Sequence, residues 1–255
     1  MYQGHRIAVV MPIHNEEDHL ARAVSRVPDF VDLIIAVDDG STDGTWARLK
    51  RIRDARLVRL RNDENLGVGA ATRAGYQFAL STDADMIAVM DGDGQMDGRD
   101  LPGLLDCAMA GADYVKGNRF LHEETLPSMP RARFIGNVVL SWLTRRASSF
   151  AGHLDAQCGY TVIRSASLRK LDLKGLYGRY GFPNEMLFAA GRAGLEVRSV
   201  PVRTIYDNES SGINPLTAVP TIIYLIARGY VRRRLSTGRV DPVLSIQQAG
   251  GDSSD

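Results

Sequence analysis

Between Arg6 and Lys116 five short apolar runs alternate with four helix-like stretches, and that rhythm leaves few folds open. The runs are Arg6–Met11, Asp32–Val37, Leu57–Leu60, Met86–Met90 and Asp113–Lys116. Between them the spacing predicts helices over Glu16–Val27, Gly44–Arg53, Gly67–Leu80 and Leu101–Ala110, with Asn15 and Asp43 as caps of the first two. Strands alternating with crossover helices read as an α/β fold with a mostly parallel sheet. In such sheets ligands bind beyond the carboxyl ends of the strands. Four loops bring polar residues to that edge: His14-Asn15-Glu16, Asp38-Asp39-Gly40-Ser41, Asn65-Leu66-Gly67 and Asp91-Gly92-Asp93.

From about Phe120 the pattern changes. A Pro-containing loop, Glu124–Pro130, leads into an amphipathic helix over Arg131–Phe150 that sets Phe134, Val138, Trp142 and Leu143 among Arg131, Arg133, Arg145 and Arg146. A strand at Gly159–Ile163, a helix at Asn184–Ala193 and a strand at Leu195–Val202 follow, and the polar tail from Ser236 reads as disordered. These pieces divide the chain into a catalytic domain over 1–215, with halves at 1–120 and 121–215, an amphipathic helix over 216–235 and a tail over 236–255.

Charge and cysteine content narrow the partners. Lys plus Arg number 31 against 30 Asp plus Glu, which gives no global electrostatic case for nucleic acid. Cys107 and Cys158 lack the paired spacing of a zinc or redox motif and read as free thiols in a reducing compartment. The residues before the first strand do not resemble a signal peptide, and no stretch reaches the ~18 apolar residues of a membrane span. The best candidate, Ala218–Ala227, stops at Arg228.

Asp91-Gly92-Asp93-Gly94-Gln95 carries the strongest chemical signal, two carboxylates one residue apart at the end of a buried strand. Mg²⁺ and Mn²⁺ prefer oxygen ligands and complete their shells with substrate phosphates. Asp91, Asp93 and Gln95 are therefore candidate metal ligands, with Gly92 letting a diphosphate come close to the backbone. Alone, the motif is equally a capped polar turn. Asp38-Asp39-Gly40-Ser41 offers carboxylates to ribose hydroxyls or a base N–H, and again a capped turn competes. Asn65-Leu66-Gly67-Val68-Gly69 is a poor dinucleotide fingerprint, because Thr72 stands where its third small residue belongs and the run follows the third strand.

Taken in order, Val10-Met11-Pro12-Ile13-His14-Asn15-Glu16-Glu17, Val37–Thr45, Asn65-Leu66-Gly67 and Met90–Gln95 resemble the inverting family 2 glycosyltransferases of the GT-A fold. Lys116-Gly117-Asn118-Arg119, Arg133–Leu143, Asp155–Tyr160, Phe182–Met186 and Val200-Pro201-Val202-Arg203 resemble the dolichyl- or polyprenyl-phosphate mannose and glucose synthase branch. The resemblance implies a Rossmann-like, mixed but mostly parallel sheet with helices on both faces and C-terminal amphipathic helices. It also implies a metal-dependent transferase that moves a hexose from GDP-mannose or UDP-glucose to a polyprenyl phosphate. Pro12, His14, Glu16, Asp38, Asp39, Gly67, Asp91 and Gly92 would line the nucleotide-sugar pocket, and Asp91, Asp93 and Gln95 would hold Mg²⁺ or Mn²⁺. Arg119, Arg133, Asn137 and Arg203 would cradle the acceptor phosphate.

An acceptor phosphate is already anionic and needs positioning, whereas a hydroxyl acceptor on a glycan or small molecule would need a base. Glu185 is the candidate base in that second reading, alongside an alternative role of orienting arginines. Asp91, Asp93, Glu185 and Arg203 form the catalytic set. His14 stands where the family usually has an aromatic residue and reads as a packing or stacking group. Ala218–Leu235 carries Ile222, Ile223, Leu225, Ile226 and Tyr230 ahead of Arg232, Arg233 and Arg234, a composition suited to peripheral attachment at the cytoplasmic membrane face. The competing account packs those apolar residues, and those of Arg131–Phe150, on the catalytic domain. A non-catalytic nucleotide-sugar-binding subunit and, remotely, a dinucleotide oxidoreductase are the readings from other classes. Oligomeric state is open.

Overall fold

The computed structural model describes residues 1–123, 131–148, 155–205 and 215–236. Among them lie seven strands: β1 (Ile7–Ile13), β2 (Leu33–Asp39), β3 (Leu57–Asn62), β4 (Met86–Val89), β5 (Tyr114–Asn118), β6 (Thr161–Arg164) and β7 (Val197–Pro201). The helices are α1 (Leu20–Ser25), α2 (Thr45–Arg51), α3 (Val68–Ala79), α4 (Leu101–Met109), α5 (Arg131–Ser148), α6 (Ser165–Leu168), α7 (Phe182–Arg192) and α8 (Pro215–Ser236). The strands form one sheet in the order β3-β2-β1-β4-β6-β5-β7. All neighbours run parallel except β6, which is antiparallel to both β4 and β5. The mixed, mostly parallel sheet is as the sequence implies.

Burial on both faces explains why β1, β4 and most of β2 read as unbroken apolar runs. In β1, Ile7, Val9, Met11 and Ile13 point to a core shared with α1 and α4, while Ala8 and Val10 point to the opposite core under α3 and α7. Full burial of each Ile or Val contributes roughly 1.5–3 kcal/mol. A third cluster joins α5, α7 and α8 through Leu140, Ala147, Phe188, Ile222 and Ile226.

One predicted helix is shorter than its pattern. Of Glu16–Val27 only Leu20–Ser25 is helical, and Asn15 does not cap it. Asn15 takes a left-handed φ of 55°, and its Oδ1 accepts from the Thr42 amide at 2.9 Å. The Glu16 amide donates to Thr45 Oγ1 at 2.8 Å, and Glu17 accepts from the Gly44 amide at 3.0 Å. Side chains that could have capped a helix instead tie the loop after β1 to the loop after β2. The N-cap of α2 is Gly44; Asp43, one residue earlier, accepts from the Thr45 amide at 2.9 Å as the helix begins. The predicted loop at 124–130 and nearly all of the tail, 237–255, lie outside the described residues.

Candidate active site

The chain runs from β1 outward to β2 and β3, then returns to the other side of β1 with β4. That reversal opens a crevice beyond the carboxyl ends of β1 and β4, where open α/β sheets bind ligands. A cavity of about 840 Å³ occupies it, within the range that holds a small ligand or cofactor. Pro12, His14, Glu16, Asp39, Gly67, Asp91, Gly92, Asp93, Gln95, Arg119 and Arg203 all line it.

The floor is the loop after β4. The Gly92 amide donates to Pro12 O at 3.1 Å, which draws the loop onto the end of β1. A Cβ on Gly92 would stand 2.8 Å from Ile13 Cγ1, so this glycine, which also lines the cavity, permits the close approach of the loop to β1. Asp93 Oδ1 accepts from the Gln95 amide at 2.9 Å, and Gln95 O accepts from the Ile205 amide at 2.9 Å, joining the loop to the segment after β7. Arg26, at the end of α1, donates to Gly94 O from behind.

Asp91 lies against Gly159, where a Cβ would come within 2.9 Å of its Oδ2. Its carboxyl is pushed up to about 7, first by burial and then by the charge of Asp93, with Arg119 pulling the other way. Two crowded carboxylates with Gln95 beside them are hard oxygen donors whose repulsion a divalent cation would relieve, so these residues fit one. Among the described residues no cluster of three or more His, Cys, Asp or Glu forms a metal cage, so such an ion would lean on its substrate for further ligands.

On the other wall, His14 Nδ1 lies 2.8 Å from Asp39 O, and Asn65 Nδ2 lies 2.8 Å from His14 Nε2. The carbonyl requires a proton on Nδ1, which leaves Nε2 to accept from the Asn65 amide. With both nitrogens engaged, the ring is a fixed wall, as expected of a packing residue. Asp39 accepts from Asn62 Nδ2 at 2.7 Å, the Leu66 amide at 3.1 Å and the Gly67 amide at 2.7 Å. Its carboxylate therefore shapes the loop that starts α3. Gly67, at φ 99°, makes room for Arg179, whose Cγ would lie 2.6 Å from a Cβ there.

Asp38 is a correction. Successive strand residues face opposite sides of a sheet, so Asp38 turns away from the cavity that Asp39 lines. It is fully buried and pairs at 3.1 Å with Arg61, which stacks on Trp46.

The basic wall is anchored by carboxylates. At the end of β5, Arg119 donates from Nε and Nη2 to the two oxygens of buried Asp155 at 2.5 and 3.0 Å. After β7, Arg203 donates from its backbone amide and Nε to Asp100 at 2.6 and 3.2 Å. Each guanidinium is thus oriented before a ligand arrives. Of the remaining acceptor-phosphate candidates, Asn137 on α5 does not line the cavity, and the Arg133 side chain lies outside the described residues.

Glu185 is a correction as a candidate base, whereas its alternative role of orienting an arginine fits its partner. It sits in the first turn of α7, buried, and accepts from Arg228 of α8 at 2.7 Å. It is not a cavity residue, and its geometry is that of a clamp between helices. Sequence reasoning missed Arg179 and Tyr180, both exposed on the cavity rim. Burial first, then the charges of Asp91 and Glu16, raise the Tyr180 hydroxyl above its usual range. No motif marks this pair; only its place just ahead of the glycine that opens α7 does.

Among the described residues no helix is long and apolar enough to cross a membrane. Yet α5 and α8 each carry two apolar faces. Leu140, Ala147, Ile222, Leu225 and Ile226 turn inward. Ile135, Val138, Val139 and Trp142 on α5 are exposed at spacings of three, four and seven residues, and Ile223, Tyr224 and Val231 on α8 at seven and eight. The account that packs these helices on the catalytic domain is therefore right for one face of each.

The description "Glycosyl transferase family 2" matches residues 8–172. An undecaprenyl-phosphate mannosyltransferase of Micrococcus luteus is 30% identical over 228 residues, covering 81% of this chain and 88% of the relative. A UDP-N-acetylglucosamine–dolichyl-phosphate N-acetylglucosaminyltransferase of Methanococcus voltae is 27% identical over 220 residues, covering 80% and 87%. Among solved structures, glucosyl-3-phosphoglycerate synthase from Mycobacterium tuberculosis, in complex with Mn²⁺, uridine diphosphate and phosphoglyceric acid, superposes with a TM-score of 0.64 at 20% identity, covering 90% of this chain and 78% of that one. That likeness establishes the fold.

Proposed function

The chain belongs to glycosyl transferase family 2, and from that premise we propose that it moves a hexose from a nucleotide sugar of the GDP-mannose or UDP-glucose type to a polyprenyl phosphate. The observation that carries this reading is the pair Arg119 and Arg203, each held by its own carboxylate on the wall of the cavity floored by Asp91–Gln95. Anchored guanidiniums suit an anionic acceptor, and the relatives named for undecaprenyl and dolichyl phosphate support that class.

The residues divide the work by wall. Pro12, His14, Asp39 and Gly67 frame the nucleotide side. Asp91, Asp93 and Gln95 would hold Mg²⁺ or Mn²⁺, which when bound neutralises charge on the departing diphosphate. Arg119 and Arg203 hold the acceptor phosphate so that one of its oxygens approaches the anomeric carbon opposite the leaving group, inverting the configuration. That oxygen carries no proton to remove. Glu185, turned to Arg228, weakens the hydroxyl-acceptor reading by taking its candidate base out of the cavity.

The outward stripes of α5 and α8, with Arg145 and Arg146 near the end of α5, suit an anionic bilayer surface on which a lipid acceptor travels. Attachment is peripheral, at the cytoplasmic membrane face. Purified protein incubated with Mn²⁺ or Mg²⁺, polyprenyl phosphate and a panel of labelled sugar nucleotides should pass label into the organic phase from one donor. Label remaining aqueous for every donor contradicts the reading.

A further inference from the structure

We infer that Gln157 selects the donor sugar: its side-chain oxygen accepts a hydrogen bond from a hydroxyl of the hexose being transferred. This rests on the nucleotide-sugar reading above.

The orientation of the amide follows from a chain of hydrogen bonds that starts at a backbone carbonyl. Leu140 O can only accept, so the Thr144 hydroxyl, 2.8 Å away, donates its one hydrogen there. Thr144 Oγ1 must then accept from Asn184, whose Nδ2 is 2.6 Å away. That fixes Asn184 Oδ1 toward Gln157, which donates from Nε2 at 3.1 Å. Thr144 and Asn184 are fully buried, so no water competes for these bonds. A flipped Gln157 amide would set Oε1 against Asn184 Oδ1, two acceptors face to face. Gln157 lines the cavity, and among the described residues its Oε1 has no partner. Among the described residues, the relay therefore engages Thr144 Oγ1, both polar atoms of the Asn184 amide and Gln157 Nε2, and leaves the Gln157 side-chain oxygen open.

Position gives the ligand. Gln157 stands two residues after Asp155, the anchor of Arg119, and two before Gly159, which lies against Asp91. Its backbone amide also bonds Asp155 Oδ1, at 3.2 Å, which ties it to the arginine anchor. For in-line transfer the hexose must lie between the acceptor phosphate and the departing diphosphate, and Gln157 is on the segment that joins those two sides. An acceptor-only atom there recognises an O–H. Loss of that hydroxyl leaves the amide oxygen unpaired, and binding falls about tenfold.

Calorimetric titration in Mn²⁺ with UDP, UDP-glucose, UDP-N-acetylglucosamine, GDP and GDP-mannose tests this on the wild type, Gln157→Met and Gln157→Asn. Both variants should bind the parent nucleoside diphosphate within about twofold of wild type, which also reports that they fold. Both should bind the preferred sugar nucleotide about tenfold more weakly. Monodeoxy versions of that donor should show one position at which the wild type loses about tenfold and Gln157→Met loses nothing further. Thr144→Val, which frees the Asn184 amide, should weaken the sugar preference, and Thr144→Ser should retain it. Unchanged sugar preference in Gln157→Met overturns the assignment of Gln157 while leaving the donor reading intact. A wild type that binds no sugar nucleotide overturns both.

Discussion

Asp155→Asn removes the carboxylate that holds Arg119, and its effects follow from the geometry. Asp155 is fully buried and takes the Nε and Nη2 hydrogens of Arg119, itself 8% exposed, on its two oxygens. An asparagine keeps one oxygen but turns an NH₂ group toward a guanidinium that has only hydrogens to offer. The buried arginine loses the carboxylate that holds its fork, and removing one partner of a buried pair costs about 3–5 kcal/mol. For a domain of this size each kcal/mol corresponds to about 2–4 °C of melting temperature, so thermal unfolding should drop by about 6–20 °C. A misdirected fork also loses a charge-assisted hydrogen bond to the acceptor, worth about 1.5–3 kcal/mol, so the KM for polyprenyl phosphate should rise at least about tenfold. Binding of the nucleoside diphosphate should change little. A melting temperature within about 2 °C of wild type together with a KM within about twofold would refute the claim that Asp155 positions Arg119 for an anionic acceptor.

Three further outcomes are expected. Glu185→Gln should cost about 1–2 kcal/mol of stability by weakening the Arg228 clamp, while kcat stays within about threefold in a transfer assay; a thousandfold loss of kcat would restore Glu185 as a base. Trp142→Ser combined with Tyr224→Ser should lower sedimentation with anionic vesicles by about a hundredfold and leave the melting temperature within a few degrees, since both rings are exposed. Without metal, the raised Asp91 carboxyl makes the folded chain hold a proton that the unfolded chain releases near pH 4, so melting temperature should fall as pH rises from about 4 to about 7 and level off above. Mn²⁺ should cancel that loss, stabilising the protein more at pH 8 than at pH 6; a metal effect that is equal at both pH values contradicts the assignment of Asp91 as a ligand.

The parts of the fold visible in the sequence are those set by local pattern. The central strands β1, β2 and β4 were legible as short apolar runs, and the others as short segments rich in Val, Ile, Leu or Tyr. The carboxyl-end loops were legible because the sheet edge gathers them whatever their side chains do. Side-chain direction was harder. Asp38 and Asp39 share a motif but face opposite sides of β2, a consequence of strand pleating that adjacent numbering conceals. Gly92 was read as space for a ligand, and the close packing against Ile13 that also requires a glycine there is invisible in the sequence. Glu185 was read as a candidate base or as a residue that orients arginines, and the arginine it holds proved to be 43 residues away on α8, a pairing that no local pattern encodes. Gln157 drew no role because its meaning depends on a relay through Asn184 on α7 and Thr144 on α5. Arg179 and Tyr180 reach the cavity only because their loop folds over Gly67, and the Ala70 amide bonds Gly178 O at 2.8 Å to hold it there.

The central claim is that the two anchored arginines receive a lipid phosphate. It is tested most directly by offering the enzyme equal amounts of polyprenyl phosphate and the matching polyprenol, with metal and the labelled donor, and separating the products. The account predicts label on the phosphate form alone, lost when Arg119 is replaced by Gln. Label on the polyprenol to a similar extent, unaffected by Arg119→Gln, would contradict it.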